Sequence, residues 1–498
     1  MGANERPAEY GLPDNEYGLY IEGEWRQDSS RGTKRATSPA TGEPIGSITM
    51  GTADDVADAV EAASTAQAEL ESMTAFERAD LVHELADAIE SRVDSLAVWL
   101  SADQGKPINE ARIELELAAE MYRDAAENVK RAGGSTIPAE NPDKRIFTIR
   151  QPHGVYGVIT PWNFPVTIPS EYLGPGIGVG NAVVWVPAPT TSVISAKLVE
   201  AFSDTALPDG ALNLVTGEGP VVGEAVVTHQ GTDAVGFTGS PETGDLVARN
   251  AGAKPTLLEL GGNGPVIVLD DADLDRAAES VANGCFTNAG QICTASERIL
   301  VHEDVHAAFR ERLLQHTEDV VLGHPLDETT DMGPLNNRDV AEKMETHVDD
   351  AVSHGAELLH GGSLATDQPT ELYYEPTVLD DVTPEMLTNE QETFGPIAPI
   401  ITFDDYDEAI RITNGIELGL SSGIFTENIS KMYYFAERIQ AGLININEGS
   451  AHWETHTPVG GHSGTNSGVG RIGGRYTIDE MSQIKNVTVD IDGDWERS

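Results

Sequence analysis

The middle of the chain alternates between short apolar runs and segments of helical spacing, and this alternation constrains the fold more than any other feature. The runs NAVVWVPA from Asn181, ALNLVTG from Ala211 and AVGFTGS from Ala234 are each followed by such a segment. Strands that alternate with helices form βαβ units, whose strands lie parallel in one sheet. The pattern predicts an α/β fold, and a second alternating stretch from about Pro265 to Asn447 predicts a second sheet. A chain of 498 residues is long enough for two or three domains.

Two amphipathic helices are expected before this region. Apolar residues from Ala75 to Ser101 recur every three or four positions, which is the spacing of one helix face. A second helical pattern covers residues 54–72. The Gly- and Pro-rich stretch 132–145 interrupts the helices, and the β-branched and aromatic residues of 146–160 predict two short strands.

The composition is strongly acidic. The chain holds 82 Asp and Glu residues against 31 Lys and Arg, a formal net charge of −51, and the acids are spread along the sequence. Nucleic acids and anionic membranes both attract basic surfaces, so we expect neither as a partner. Spread carboxylates are typical of a surface adapted to a salt-rich cytoplasm, where screening weakens their mutual repulsion.

The expected cellular setting follows from cysteine usage and hydropathy. Two cysteines cannot form a disulfide framework, the N-terminal residues contain no apolar stretch of a secretory signal, and no apolar run approaches ~18 residues. These features predict a soluble cytoplasmic protein. No Cys and His cluster with the spacing of metal ligands occurs in the sequence, so no metal site is expected.

Three glycine-rich stretches differ in how well they suit a phosphate group. Residues 468–473 (GVGRIG) match the dinucleotide-binding spacing, but no strand leads into them, so the match carries little weight. Residues 217–223 follow a strand with a spacing that is one residue too long. The stretch from Gly236 to Gly244 is better placed, because a strand ends at Phe237 and Ser240 stands where a helix begins. Ser240 is either part of a phosphate site or an ordinary helix N-cap.

Three separated residues are candidates for catalysis, and each also has a simpler structural interpretation. Cys293 lies in GQICTASER, where a helix from Ile292 onward would lower the pKa of its thiol. Glu259 lies in an apolar strand, where burial would raise its pKa toward that of a general base, unless the strand is an edge facing solvent. Asn163 in PWNFP either donates to an oxyanion or satisfies the backbone of a turn. Cys285 is expected to be a small apolar filler.

Taken in order along the chain, these motifs resemble the NAD(P)-dependent aldehyde dehydrogenase superfamily. The motifs that carry the resemblance are PWNFP at 161–165, FTGS at 237–240, LELGG at 258–262, NAGQICTASER at 288–298 and ETFGPIAPI at 392–400. The resemblance extends over nearly the whole chain and, with the acidic composition, indicates a salt-adapted, haloarchaeal-type member. It implies a Rossmann-like cofactor domain, an α/β catalytic domain and a small β-flap for oligomerisation.

The resemblance also implies where the domains begin and end. The NAD(P)-binding domain would comprise 1–133 and 152–258, and the catalytic domain 259–448. The flap would combine 134–151 with 475–498, and residues 449–474 would form a substrate loop that returns to the cofactor domain. A homodimer or homotetramer is expected.

The same resemblance implies residue roles. Cys293 would attack the aldehyde carbonyl, the amide of Asn163 and the N–H of Cys293 would bind the oxyanion, and Glu259 would activate the water that hydrolyses the thioester. Cofactor contacts are implied for Trp162, Gly236, Ser240, Glu392, Phe394 and Thr190. Substrate contacts are implied for Ile168, Glu171, Ile292, Thr294 and Trp453.

Several positions depart from the family's usual pattern. Val186 and Pro189 replace the Lys and Glu that hold the adenosine ribose, which allows either NAD or NADP as the cofactor. Tyr172 replaces a Lys near the path of the catalytic water, and Val459 and Ile472 replace a Phe and a Glu in the C-terminal glycine-rich loop. The sequence therefore leaves open the choice of cofactor and the route of the proton.

Three other functions would use part of this pattern. A CoA-acylating semialdehyde dehydrogenase would release the same thioester to CoA, but such relatives generally lack a carboxylate at the position of Glu259. A cofactor-independent thiol hydrolase would need a His base beside Cys293. A binding or structural protein would not need Cys293, Asn163 and Glu259 together. The sequence therefore favours aldehyde oxidation with hydrolysis of the thioester.

The spread acidic surface predicts that stability depends on salt. We expect the melting temperature to rise as KCl increases from dilute buffer to molar concentration, because screening weakens repulsion among the carboxylates. Thermal unfolding followed by circular dichroism measures this effect. Equal melting temperatures with and without KCl would contradict the prediction.

Overall fold

The computed structural model describes residues 10–12, 15–27 and 32–491. The terminal parts of the expected cofactor domain (1–9) and flap (492–498) lie outside the described residues, as do 13–14 and 28–31. The strands, in chain order, are Glu16–Tyr17 (β1), Leu19–Ile21 (β2), Glu24–Arg26 (β3), Thr33–Thr37 (β4), Pro44–Thr49 (β5), Thr136–Ile137 (β6), Lys144–Pro152 (β7), Val155–Thr160 (β8), Ala182–Pro187 (β9), Leu212–Leu214 (β10), Ala234–Thr238 (β11), Thr256–Glu259 (β12), Gly264–Val268 (β13), Ser296–His302 (β14), Glu357–His360 (β15), Thr377–Asp380 (β16), Ile397–Phe403 (β17), Ser421–Phe425 (β18), Leu443–Ile446 (β19), Gly468–Val469 (β20) and Ser482–Asp490 (β21).

The α-helices, in chain order, are Ala53–Ser72 (α1), Ala75–Glu90 (α2), Val93–Gln104 (α3), Ile108–Val129 (α4), Thr167–Val179 (α5), Ser192–Phe202 (α6), Glu224–Thr228 (α7), Pro241–Ala251 (α8), Leu274–Phe286 (α9), Glu303–Glu318 (α10), Arg338–Ser353 (α11), Leu387–Glu390 (α12), Tyr406–Thr413 (α13), Ile429–Ala436 (α14) and Gly474–Glu480 (α15). A π-helical turn spans Gly219–Gly223 and a 3-10 turn spans Thr287–Gly290. Within the described part of the chain, none of these helices is long and apolar enough to cross a membrane.

The first large sheet has the strand order β20-β12-β11-β8-β9-β10-β2-β3. Its central strands β12, β11, β8, β9 and β10 are parallel, as the strand–helix alternation predicts. The chain passes from β8 through β9 to β10 on one side and then returns to place β11 beside β8. In open parallel sheets, ligands bind outside the carboxyl ends of the strands at such a switch point. This point lies between Thr160 and Thr238.

The second large sheet has the order β15-β16-β17-β14-β13-β18-β19 and is parallel except for β15. Its own apolar core includes Val266, Ile299 and Phe425, all fully buried. Cys285 belongs to this core, and its Sγ donates to the carbonyl of Ser296, so the expectation of a core filler is correct. The two large sheets thus have separate apolar cores, and a seam lies between them.

A small antiparallel sheet of order β21-β7-β6 stands apart from the two large ones. β7 and β21 pair over nine residues, from Ser482 opposite Pro152 to Asp490 opposite Lys144. Phe147, Ile149 and Ile484 on these strands are exposed apolar side chains. β7 and β8 are the two strands expected in 146–160, although β7 begins two residues earlier, at Lys144.

The single helix expected from Ala75 to Ser101 is wrong, because the structure divides it at Ser91 and Arg92. The Ser91 hydroxyl and the Arg92 guanidinium both donate to the carbonyl of Ala88. The backbone N–H of Arg92 donates to the carbonyl of Ile89 instead of to that of Ala88. The two side chains therefore occupy the carbonyl that a continuing helix would use as a backbone acceptor. The helix expected over 54–72 is present as α1, which a capping box between Thr52 and Asp55 starts.

Gly236 lies inside β11 and packs against aromatic rings. A Cβ at this position would stand 2.7 Å from two ring carbons of Tyr172 and 3.3 Å from the ring of Tyr156. We expect Gly236→Ala to lower the free energy of unfolding by about 1–3 kcal/mol, because an overpacked core must shift. Urea unfolding measures this change. Gly219→Ala is the control, since a Cβ there meets nothing within 4 Å, and equal unfolding midpoints for the two variants would contradict the prediction.

Candidate active site

Cys293 lies in a strained loop between the 3-10 turn and β14. Asn288, Ala289 and Gly290 have positive φ angles of 50°, 53° and 70°, a conformation that costs energy in residues with a Cβ. The carboxylate of Glu110 accepts the N–H of Asn288 and holds the start of this loop. A Cβ on Gly290 would stand 2.2 Å from the carbonyl oxygen of Gly395, so this glycine permits contact with backbone rather than with a ligand.

The helix expected from Ile292 onward is wrong. Cys293 and Thr294 form a turn, and β14 begins at Ser296. No helix dipole therefore lowers the pKa of the thiol. Burial raises the pKa of Cys293 well above its ordinary value, and the negative charges of Glu259, Glu392 and Glu171 raise it further. The thiol form is therefore favoured until a base or a bound ligand changes this environment.

Glu259 is the last residue of β12 and is only 3% exposed. β12 pairs with β11 on one side and with β20 on the other. It is therefore not an edge strand, and the alternative in which Glu259 faces solvent is wrong. Burial raises the pKa of Glu259 to about 8, while the positive charge of Arg471 acts in the opposite direction. Its Oε1 atom has no hydrogen-bond partner among the described residues. A buried, unpaired carboxyl with such a pKa has the properties of a general base.

Asn163 links the turn after β8 to the loop that carries Cys293. Its Nδ2 donates to the carbonyl of Gln291 at 3.1 Å, and its own carbonyl accepts from Asn288 at 3.0 Å. One of the two amide hydrogens of Asn163 therefore bonds to a backbone carbonyl, as the simpler interpretation predicts. The second hydrogen has no partner in the described part of the chain.

A buried ion pair that the sequence analysis did not identify supports Asn163 from the other side. The Nζ of Lys106 lies 2.5 Å from Glu114 Oε2 and 3.1 Å from the Asn163 carbonyl, and it also lies 3.8 Å from the centre of the Phe164 ring. The second oxygen of Glu114 accepts the N–H groups of Val166 and Thr167. Lys106 and Glu114 are eight residues apart in a helical region, a spacing that gives no sequence signal for a pair.

A cavity of about 570 Å³ brings the predicted reacting groups together. Cys293 and Glu259 line it, and so do all the expected substrate residues, which are Ile168, Glu171, Ile292, Thr294 and Trp453. Asn163 stands behind this wall, next to Phe164. Arg276 also lines the cavity, and it is paired with Glu448 at 3.2 Å. The site is therefore an acidic and apolar cavity around one thiol.

Glu392 and Phe394 lie where the second sheet approaches the switch point of the first. Glu392 accepts the N–H of Gly262 at 3.0 Å, and burial raises its pKa to about 7. Phe394 has a φ of 57°, and its N–H donates to the buried carboxylate of Glu297 at 2.7 Å. The ring of Phe394 meets the ring of Trp162 edge to face at 5.5 Å. Glu297, which fixes this strained turn, is a further residue that the sequence analysis did not identify.

The remaining expected cofactor residues separate into two groups. Ser240 is exposed at the start of α8, where its Oγ accepts the N–H of Thr243, and Thr190 is exposed in the turn between β9 and α6. Both residues follow the carboxyl ends of parallel strands. The strand before Ser240, β11, ends at Thr238, one residue later than the expected end at Phe237. Gly236 is instead inside β11 against Tyr172, so the structure gives it a packing role.

The buried pair of Lys106 and Glu114 predicts coupled losses of stability and activity. We expect Lys106→Met to lower the free energy of unfolding by about 3–5 kcal/mol, because the charge of Glu114 is left buried without a partner. Turnover should fall as well, since Asn163 loses a hydrogen bond. Urea unfolding and an activity assay measure both effects. Lys130→Met is the control because its pair with Glu127 is partly exposed, and a similar loss there would contradict the prediction.

The fold and the site together define a class of α/β enzyme, in which a doubly wound sheet with a ligand crevice and a buried carboxyl faces a second sheet that carries a thiol. Within this class, the chain belongs to the Aldehyde dehydrogenase family, whose sequence profile matches residues 25–487. It therefore oxidises an aldehyde to the carboxylic acid through a cysteine thioester, with NAD or NADP as cofactor. The family resemblance and the fold expected from the sequence are confirmed.

Known relatives cover almost the whole chain. The alpha-ketoglutaric semialdehyde dehydrogenase of Bacillus subtilis (strain 168) is 39% identical over 95% of this chain and 98% of its own length. An NADP-dependent enzyme of E. coli has a similar structure, with a TM-score of 0.93, 34% identity, and coverage of 95% of this chain and 98% of that one. The NAD-dependent aldehyde dehydrogenase from Sinorhizobium meliloti also has a TM-score of 0.93, with 37% identity and 97% coverage of both chains.

Proposed function

We propose that Cys293 is the nucleophile, Glu259 the base for hydrolysis and Asn163 an oxyanion donor in this aldehyde oxidation. One observation carries the proposal: Cys293 and Glu259, which are 34 positions apart in the sequence, line the same cavity, and Asn163 is bonded to the loop of Cys293. In the first half of the reaction, the Cys293 thiol gives its proton to water in the cavity, the Sγ–C bond forms and the carbonyl π electrons move to oxygen. The second amide hydrogen of Asn163 and the N–H of Cys293 stabilise that oxyanion.

The residues at the seam between the sheets fit a nicotinamide dinucleotide. Ser240 and Thr190 are exposed at the carboxyl ends of β11 and β9, and the N-terminus of the eleven-residue helix α8 favours an anionic group. Glu392 lies within electrostatic reach of Cys293, and the ring of Phe394, two residues further along the chain, packs against the ring of Trp162. When bound, NAD(P)+ accepts the hydride released by the oxidation. Val186 is buried inside β9, which supports the expectation that neither cofactor is selected at that position.

In the second half of the reaction, water attacks the thioester. The O–C bond forms, the C–S bond breaks with the electron pair going to sulfur, and the water proton passes to Glu259. A pKa of about 8 lets Glu259 accept this proton, and its burial excludes competing solvent. The presence of this buried base supports hydrolysis rather than transfer of the acyl group to CoA.

The cavity supports an aldehyde with an apolar body. Ile168, Ile292 and Trp453 provide apolar wall on the approach to Cys293. Arg276 is available to an acidic group on the substrate only if that group displaces Glu448. We propose a small aliphatic aldehyde as the substrate class.

We also infer a homodimer or homotetramer in the cytoplasm. Residues 134–151 and 475–498 would form the oligomerisation flap, and its exposed Phe147, Ile149 and Ile484 support contact with a second copy. The cofactor domain would comprise 1–133 and 152–258, the catalytic domain 259–448 and the substrate loop 449–474. The cytoplasmic setting is supported by the low cysteine content.

The role of Glu259 predicts a separation between the first and later turnovers. We expect Glu259→Gln to produce a normal burst of reduced nicotinamide and then slow steady turnover by about 10²–10⁴-fold, because the amide cannot accept the water proton. In the wild type, hydrolysis should speed up as pH rises through about 8, since the ionised carboxylate is the active form, and the variant should lose this dependence.

Stopped-flow absorbance at the reduced-nicotinamide band measures both phases, with NAD and NADP tested separately over a panel of aldehydes. Cys293→Ala is the control and should give neither burst nor turnover. Unchanged steady turnover in Glu259→Gln would remove its proposed role, and turnover in Cys293→Ala would remove that of the thiol.

A further inference from the structure

The proton that hydrolysis releases needs a way out, and Glu259 does not provide one by itself. Glu259 is 3% exposed, at the end of a strand paired on both sides. Its only described basic neighbour in electrostatic reach is Arg471, which carries its proton permanently and so cannot accept another. A different group must therefore take the proton from Glu259 in each turnover.

Tyr172 is poorly suited to that task although it lies close by. Its hydroxyl is 2.9 Å from Thr238 Oγ1 and 3.3 Å from the carbonyl of Phe237, so it is already held by β11. Burial raises the pKa of Tyr172 well above its ordinary value, and the negative charges of Glu259 and Glu171 add to this effect. On the opposite wall, Ile472 has no group that carries a proton.

Glu171, the residue before Tyr172 on α5, has the required position. It lines the same cavity as Glu259 and Cys293. It is within electrostatic reach of both, because the charge of Glu259 raises the pKa of Glu171 and the charge of Glu171 raises that of Cys293. No described hydrogen bond engages its carboxyl, so both oxygens are available.

Glu171 also lines a second, smaller cavity that leads away from the catalytic one. This cavity measures about 10 Å³, roughly the space that one water molecule needs. The residues that line it include Glu171, Asp124, Ser170 and Thr477, whose carboxyls and hydroxyls are polar groups of the kind that hold a water. Glu171 is thus common to the walls of both chambers.

One residue that lines the small cavity, Asp124, is in contact with solvent. Asp124 on α4 is partly exposed and accepts a hydrogen bond from Asn128 Nδ2 at 2.9 Å. Burial raises the pKa of Asp124, and the charge of the exposed His456 acts in the opposite direction. A carboxyl in this position can take a proton from inside and release it outside.

We propose that Glu171 carries the hydrolysis proton from Glu259 through the small cavity to Asp124 and solvent. Water gives its proton to Glu259, Glu171 releases its own proton into the small cavity, and the proton on Glu259 then replaces it. The carboxylate of Glu259 is restored for the next turnover, and one proton leaves for each acid formed. The proposal rests on the proposed role of Glu259 as the base.

The test follows the acyl enzyme directly. In Glu171→Gln we expect a burst of full amplitude, and then decay of the thioester about 10- to 100-fold slower than in the wild type in dilute buffer. Quench-flow with a labelled aldehyde measures the decay. Raising the concentration of imidazole buffer should restore the rate, because a small base replaces the missing carrier, whereas a misplaced active site would not respond.

Three further variants complete the experiment. Glu171→His should retain most of the decay rate, because imidazole also carries protons, and Asp124→Asn should show a smaller loss with the same response to buffer. Glu116→Gln, an exposed glutamate on α4, is the control and should match the wild type. An unchanged decay rate in Glu171→Gln, or a loss that imidazole does not restore, would overturn the proposal. A wild type that forms no thioester would instead remove the proposed function on which it rests.

Discussion

The active site depends on a chain of buried hydrogen bonds that ties the two sheets together at their seam. Lys106 and Glu114 hold the turn after β8, the Asn163 amide in that turn bonds to Gln291, and Asn288 bonds back to the Asn163 carbonyl. Because these groups are buried, each would be costly to leave unpaired. The energy of this network stabilises the left-handed residues beside Cys293, and so fixes the thiol against the cofactor sheet.

The same burial sets the electrostatics of the reaction. Burial raises the pKa of Glu259, of Glu171 and of the thiol, and the charge of Glu259 raises the pKa of the last two further. This arrangement disfavours a resting thiolate and favours a base that works near pH 8. A net charge of −51 over the whole chain therefore coexists with an active site whose acids hold their protons in the neutral range.

Local patterns predicted the parts of the fold that local physics controls. The parallel strands and the first helix follow from periodicity and capping, and the N-cap at Ser240 follows from its place after β11. Expectations failed where side-chain hydrogen bonds or non-local contacts decide the backbone conformation. The break at Arg92 depends on side-chain bonds to Ala88, and the Cys293 loop is a turn because Glu110 and Gln291 hold its backbone.

The sequence alone determined that this is an α/β chain with a thiol, a carboxylate and an amide in the order typical of aldehyde dehydrogenases, because residue type and spacing are local properties. Tertiary structure decided that Glu259 is buried between two strands, that Lys106 supports Asn163, and that Glu171 joins two cavities. These features involve residues that are far apart in the chain. Their burial and their electrostatic environment are therefore set only when both sheets have packed together.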